Sequence, residues 1–264
     1  MSYPILKEQL RKTFSSIRVY DIPELVKERF GPSDSDGGYV FAKNLVKHPQ
    51  FLYSFGVGEN DVFERVMCSY VSKVFAYDWE ERDCEKDPQN LFFERRGISE
   101  NFFYDTLFGY DSILKIDVEG AEWEVLDSIA ETALFPFAQI GIEFHFWYVP
   151  PVFPGDFSPY FTKVLGEFYS NVNLFLFERY QRVLEKIQRT FFCFHIHANN
   201  SLPGSCVEEV FFPPLLEMSF VNKRLTGRAQ KLSKQYFPMM DLDVPNKSDR
   251  PDYRDVLNVL KGLY

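Results

Sequence analysis

The sequence predicts an α/β fold with a doubly wound, mostly parallel sheet, and three observations carry the prediction. Apolar runs of strand length, "FLYSF", "KVFAYD", "ILKID" and "AQIGIEFHFW", alternate with stretches of helical period such as "VFERVMCSYV" and "AEWEVLDSIAETAL". Parallel neighbours need crossover connections, and those helical stretches supply them. At 264 residues with 45% hydrophobic content the chain can bury a full core, so residues 1–264 read as a single domain with extensions.

Taken in order, residues 1–47 are expected to form an N-terminal helical extension, because "PILKEQLRKTF" and "IPELVKERF" place apolar residues at helical spacing before "GPSDSDGGYV" breaks the pattern. The core is expected over 48–218. Within it, "VPPVFPGDFSP" marks a boundary, and residues 151–189 read as a helical segment on the acceptor side of any site, rich in aromatics such as Phe153, Phe157, Tyr160 and Phe161. "TFFCFHIHANN" and "SCVEEVFFPP", joined by "NNSLPGS", read as a C-terminal antiparallel hairpin at the sheet edge. Residues 219–264 remain as a tail.

A net charge of −9 argues against a broad phosphate-binding surface, so no nucleic-acid partner is expected. The basic segment 222–234 is the local exception and reads as a solvated helix, with a patch for an anionic partner as the alternative. Cys68, Cys84, Cys193 and Cys206 lack CxxC spacing and read as reduced thiols. No stretch approaches the ~20 apolar residues of a membrane span, and the charged N-terminus is unlike a signal peptide. A cytoplasmic location is the default expectation.

Function is first suggested by "FGVGEN" and "AYD". Gly56 and Gly58 follow an apolar strand and allow close backbone approach, and Asp78 ends the next strand twenty positions after Gly58, the reach of a carboxylate that grips ribose hydroxyls. The dinucleotide fingerprint wants a third glycine where this chain has Asp61, whose charge opposes a pyrophosphate at a helix N-terminus. S-adenosylmethionine carries no phosphate, and its cationic sulfonium and ammonium favour acidic surroundings.

"DGGYV" (36–40), "YSFGVGENDVFE" (53–64), "AYDWE" (76–80), "LKIDVEGAEWEVL" (114–126), "IEFHF" (142–146) and "HIHANN" (195–200), in this order, resemble FkbM-type S-adenosylmethionine-dependent methyltransferases. The resemblance spans about residues 29–250, with Arg29 and Gly31 matching the lead-in to "DGGYV". It implies a Rossmann-like, class I methyltransferase-like fold. It also implies that Gly56, Gly58 and Glu59 line the cofactor loop, that Asp78 holds the ribose, that Asp36, Gly37 and Gly38 close over the cofactor, and that Ile98 neighbours the adenine. Ser54 is also expected at the cofactor, but it stands where many methyltransferases carry an acid, leaving Asp36 or Asp117 to substitute for it.

Asp117 ends the strand "ILKI" facing the same crevice, so contact with cofactor, substrate or a metal is expected; Glu119 is a weaker candidate. Glu122 and Glu124 read as solvated helix residues and Trp123 as core. Strand alternation puts Glu143 and His145 on one face of their strand, and His195, His197 and Asn199 on one face of theirs. His145 is the expected general base, with Asp117 and His197 as its catalytic partners. If a divalent cation is bound, Asp117, Glu143 and His197 are the expected ligands, a mixed set that suits Mn²⁺ or Zn²⁺ better than Mg²⁺.

The expected function is O-methylation of a small-molecule acceptor, a sugar or phosphorylated precursor of a surface glycan or natural product. The alternatives are a methyltransferase acting on a protein or RNA, and a non-catalytic protein that binds S-adenosylmethionine or a metal.

Overall fold

The computed structural model describes residues 3–47, 50–146, 174–202, 205–207, 210–227, 230–235, 237–249 and 252–253. Helix α1 (Tyr3–Ser15) opens the chain and buries Leu10 and Phe14, one helical turn apart, against the core. The second helix expected in the N-terminal extension does not form. Instead β1 (Tyr20–Asp21), β2 (Lys27–Phe30) and β3 (Tyr39–Ala42) follow, with β2 and β3 paired antiparallel. Tertiary contact overrides the helical spacing here: Ile22 and Leu25 bury against Phe192 and Val221, while Phe30 and Phe41 join a different cluster. The turn between β2 and β3 requires glycine. A Cβ on Gly31, at φ 115°, would stand 2.7 Å from the Gly38 Cα.

The central sheet is built from β4 (Phe51–Phe55), β5 (Lys73–Asp78), β6 (Leu91–Arg95), β7 (Ser112–Ile116), β8 (Phe137–His145), β9 (Phe191–Ala198) and β12 (Leu215–Asn222). Its order is β6-β5-β4-β7-β8-β12-β9, and β12 alone runs antiparallel. This is a doubly wound, Rossmann-like and mostly parallel arrangement, as the sequence predicts. Helices α3 (Glu100–Asp105), α4 (Glu122–Ser128) and α5 (Leu174–Thr190) cover one face together with α1. Helix α2 (Val62–Met67) and the β2–β3 hairpin cover the other.

The hairpin partner differs from expectation. β9 pairs with β12, whereas the segment expected beside it forms a separate ribbon of β10 (Ser205–Val207) and β11 (Val210–Phe212). The sheet therefore continues past residue 218, and Asn222 ends a fully buried strand. The described residues of the basic segment form no α-helix. It turns through Lys223–Leu225 and continues as β13 (Lys231–Leu232), which pairs with β1. Lys223 Nζ donates to the carbonyls of Gln188 and Arg189, and Arg224 pairs with Asp111, so tertiary partners disperse that charge.

Of the segment expected on the acceptor side, residues 151–173, with Phe153, Phe157, Tyr160 and Phe161, lie outside the described residues. The described part, α5, packs Tyr180, Val183, Leu184 and Ile187 into the core beside α1 and α4. It does not line the site below.

Candidate active site

The chain runs from β4 to β5 on one side and from β7 to β8 on the other, so the carboxyl ends of β4 and β7 flank the switch point where a doubly wound sheet opens a crevice. A cavity of about 520 Å³ sits there. Gly56 leaves β4 at φ 76°, and a Cβ on it would lie 1.5 Å from the Asp117 carbonyl oxygen, so only glycine fits. Gly58 differs. At φ 59° it needs glycine for its conformation, yet nothing lies within 4 Å of where its Cβ would stand. Its N–H donates to Asp78 Oδ2 at 2.8 Å, and Asp78 Oδ1 accepts from the Glu80 N–H at 2.9 Å.

Asp36, Gly37, Gly56, Gly58, Glu59, Asp78, Ile98 and Asp117 all line the cavity. Two expected residues do not. Gly38 packs under Arg29, whose Nε would be 2.6 Å from a Cβ placed there, and so serves the β2–β3 hairpin. Ser54 is buried in β4 and donates from Oγ to Glu64 Oε1 at 2.5 Å. Glu64, on α2, thereby brings a carboxyl group beside position 54, and it lines the cavity. Burial pushes its carboxyl above the usual range although Lys115 and Ser54 oppose the shift. Asp61 is turned away: its carboxylate is shared by Arg65 and Arg82, so the repulsion expected of it at the loop is neutralised there.

At the end of β7, Asp117 Oδ2 accepts from the Tyr39 hydroxyl at 2.6 Å and lies 3.5 Å from Lys115 Nζ. Burial works against ionisation of Asp117, but Lys115, Tyr39 and His145 outweigh it and hold the carboxyl below its ordinary range. His145 Nε2 stands 3.8 Å from Asp117, 3.6 Å from Glu119 and 3.7 Å from Glu143. The ring is oriented from behind by Glu122, fully buried rather than solvated as expected, whose Oε1 accepts from the His145 backbone N–H at 2.8 Å and lies 3.2 Å from Nδ1. Burial opposes charge on this imidazole, yet the carboxylates, Glu122 foremost, raise its pKa. Trp123 is core, as expected; its indole N–H donates to the His145 carbonyl.

A second polar row crosses β8, β12 and β9, where Glu143, Glu217 and His197 stand directly opposite one another. Asn199 donates to Glu143 Oε1 at 2.6 Å. Burial, reinforced by Asp117 and Glu217, pushes the Glu143 carboxyl well above its usual range. His197 pairs with Glu217 at 3.0 Å and with Asp252 of the tail at 3.1 Å; the two carboxylates overcome burial and raise its pKa to about 10. An imidazole so held stays charged at neutral pH and is no general base. His195 pairs with Asp243, and burial lowers its pKa.

Among the described residues, the groups able to share a metal ion are Asp117, Glu143 and His145, whose ligand atoms all lie within 4.8 Å of one another. His197, the expected third ligand, is committed to Glu217 and Asp252 instead. Sequence reasoning also missed Tyr39, Glu64, Lys115 and Asn246. Only Lys115 left a signal, as a lone charge inside an apolar strand. Cys68, Cys84 and Cys193 are free thiols, and no described helix is long and apolar enough to cross a membrane.

No family model and no curated protein matches the chain. Among solved structures, it is similar to a Streptococcus mutans protein in complex with SAH, at 11% identity over 68% of this chain and 90% of that one, with a TM-score of 0.33. An rRNA methylase from Streptococcus thermophilus gives the same identity, shares and score. The N-methyltransferase NodS from Bradyrhizobium japonicum is 8% identical over 82% of this chain and 93% of its own, with a TM-score of 0.35.

Proposed function

We propose that this chain is an S-adenosylmethionine-dependent O-methyltransferase of the FkbM type, acting on a small metabolite such as a sugar or a phosphorylated precursor of a surface glycan or natural product. One observation carries the reading: the glycine loop after β4, Asp78 at the end of β5 and Asp117 after β7 meet around one cavity at the switch point, with His145 at the end of β8 3.8 Å from Asp117. The cavity suits the cofactor in volume and in charge. Glu59, Glu64, Asp78, Asp117 and Glu119 line it, a set that favours a sulfonium and an ammonium and disfavours a pyrophosphate. Asp78 would hold the ribose, Ile98 and Trp79 the adenine edge, and the backbone of Gly56 and Gly58, with Glu64 behind it, the amino-acid end.

When bound, S-adenosylmethionine supplies the methyl carbon for an in-line displacement. The chain's part is to align an acceptor hydroxyl and remove its proton. Asp117 and Glu119 line the cavity in front of His145, so a hydroxyl drawn to them comes within reach of Nε2, and Glu122 receives the charge that builds on the ring. Because the same carboxylates raise the imidazole pKa, turnover is expected to climb with pH through a midpoint above 6.5.

Calorimetry with SAH and NAD tests the cofactor assignment: SAH binds and NAD does not. His145→Ala should lower turnover by about 10²–10⁴-fold with SAH affinity intact. A loss within tenfold would remove His145 from the role. A second reading rests on the convergence of Asp117, Glu143 and His145, which suits a divalent cation held beside the acceptor oxygen. Loss of activity in EDTA with recovery in Mn²⁺ would favour it.

A further inference from the structure

The cavity wall beneath β7 and β8 is rich in carboxyl groups. Asp36, Asp117 and Glu119 line it, and Glu143 and Glu217 stand behind. The described cations at this wall already have partners: Lys115 donates to the carbonyls of Phe55 and Gly56, His145 lies against Glu122, and His197 lies between Glu217 and Asp252, while Arg96, which also lines the cavity, stands 3.9 Å from Glu94. The Tyr39 hydroxyl is spent on Asp117. An independent feature lies at the same wall. Asn246, 4% exposed, donates from Nδ2 to Asp36 Oδ1 at 2.7 Å and to Glu217 Oε1 at 2.8 Å, while its Oδ1, also buried, has no hydrogen-bond partner. A buried amide oxygen that finds no partner among the described residues, set beside Asp36 and Glu217, calls for a donor from a ligand.

We infer that the methyl acceptor is rich in hydrogen-bond donors and carries no phosphate or carboxylate: a neutral polyol or an amino sugar, received by Asp36, Asp117 and Glu119 with Asn246 behind them. This rests on the methyltransferase reading and narrows it to the unphosphorylated class. Hydroxyl and ammonium hydrogens match an acceptor wall atom for atom. An ionised phosphate brings only further acceptors. At an effective dielectric near 20, one unit charge about 5 Å from a like charge loses more than about a hundredfold in affinity.

The test is calorimetry in EDTA on the full chain saturated with SAH, titrated with glucosamine and, separately, with glucosamine 6-phosphate. Glucosamine is expected to bind, and its 6-phosphate to bind at least about tenfold more weakly. Asn246→Ala should weaken glucosamine with SAH affinity unchanged. Glu119→Gln, at a largely exposed side chain and so without risk to folding, should narrow the gap between the two sugars. A phosphorylated sugar that binds as tightly as its parent overturns the inference, and so does the absence of glucosamine binding to the loaded protein. Failure of SAH itself to bind overturns the methyltransferase reading instead.

Discussion

The two sides of the cleft are assembled from different distances along the chain. On the side formed by β4 and β5, the partners are close in sequence: Ser54 meets Glu64 ten residues on, and Gly58 meets Asp78 twenty residues on. On the side formed by β8, β12 and β9, Asn199 reaches Glu143 across 56 residues, His197 meets Asp252 across 55, and Asn246 meets Asp36 across 210. The first side relies on backbone conformation and leaves an open cavity. The second relies on side-chain charge, and its groups are buried. On the proposed function, cofactor recognition is written into one strand-loop-helix-strand unit, whereas the proposed acceptor side depends on register across three strands and on the docked tail.

If that contrast is right, the largest stability effects should fall on the β8–β12–β9 side. His197→Gln leaves Glu217 and Asp252 without their shared cation and should cost about 3–5 kcal/mol in urea denaturation near neutral pH. The penalty should fade with alkalinity. His197 has a pKa of about 10 when folded, above the ~6.5 of an unfolded histidine, so its contribution is complete below ~6.5 and is lost as pH rises towards 10. A penalty that does not change across that window would mean that packing, not charge, holds the tail.

On the cofactor side, two neighbouring glycines should behave unlike each other. Gly56→Ala meets backbone at 1.5 Å and should destabilise the fold by at least about 3 kcal/mol. Gly58→Ala meets open space and should cost only the strain of a left-handed residue, about 1–2 kcal/mol. Equal losses in thermal unfolding would show that the loop is not locked against Asp117 as described. An effect on binding rather than on folding is expected of Asp78→Ala, which should weaken SAH binding by about 1–3 kcal/mol in calorimetry with β8, β12 and β9 undisturbed. Wild-type affinity in that variant would remove the ribose assignment.

Much of the cofactor side was legible because its signals are local. Period and turn residues identify β4, α2, β5, β7, α4 and β8, and the spacing of Gly56, Gly58 and Asp78 survives intact in the cavity. What failed did so for tertiary reasons. Glu122 sits in the first turn of a short helix, where an acid is ordinarily solvated, and only the packing of α4 against the end of β8 turns it onto His145. The segment around Ile22 and Leu25 has helical spacing, but those two side chains find their burial against Phe192 and Val221.

By itself the sequence determined the alternation of strands and helices, the left-handed glycines of the loop and the position of Asp78, because each depends on residues a few turns or one crossover apart. It also placed Glu143 with His145, and His195 with His197, on common faces, since strand alternation is a property of the backbone alone. Only the tertiary structure decided which histidine faces the cavity wall and which is bound to the tail. That outcome follows from inserting β12 antiparallel between β8 and β9, which sets Glu217 between Glu143 and His197 and draws the second imidazole away from Asp117. No local period encodes the register between strands some seventy residues apart; burial of their apolar faces does.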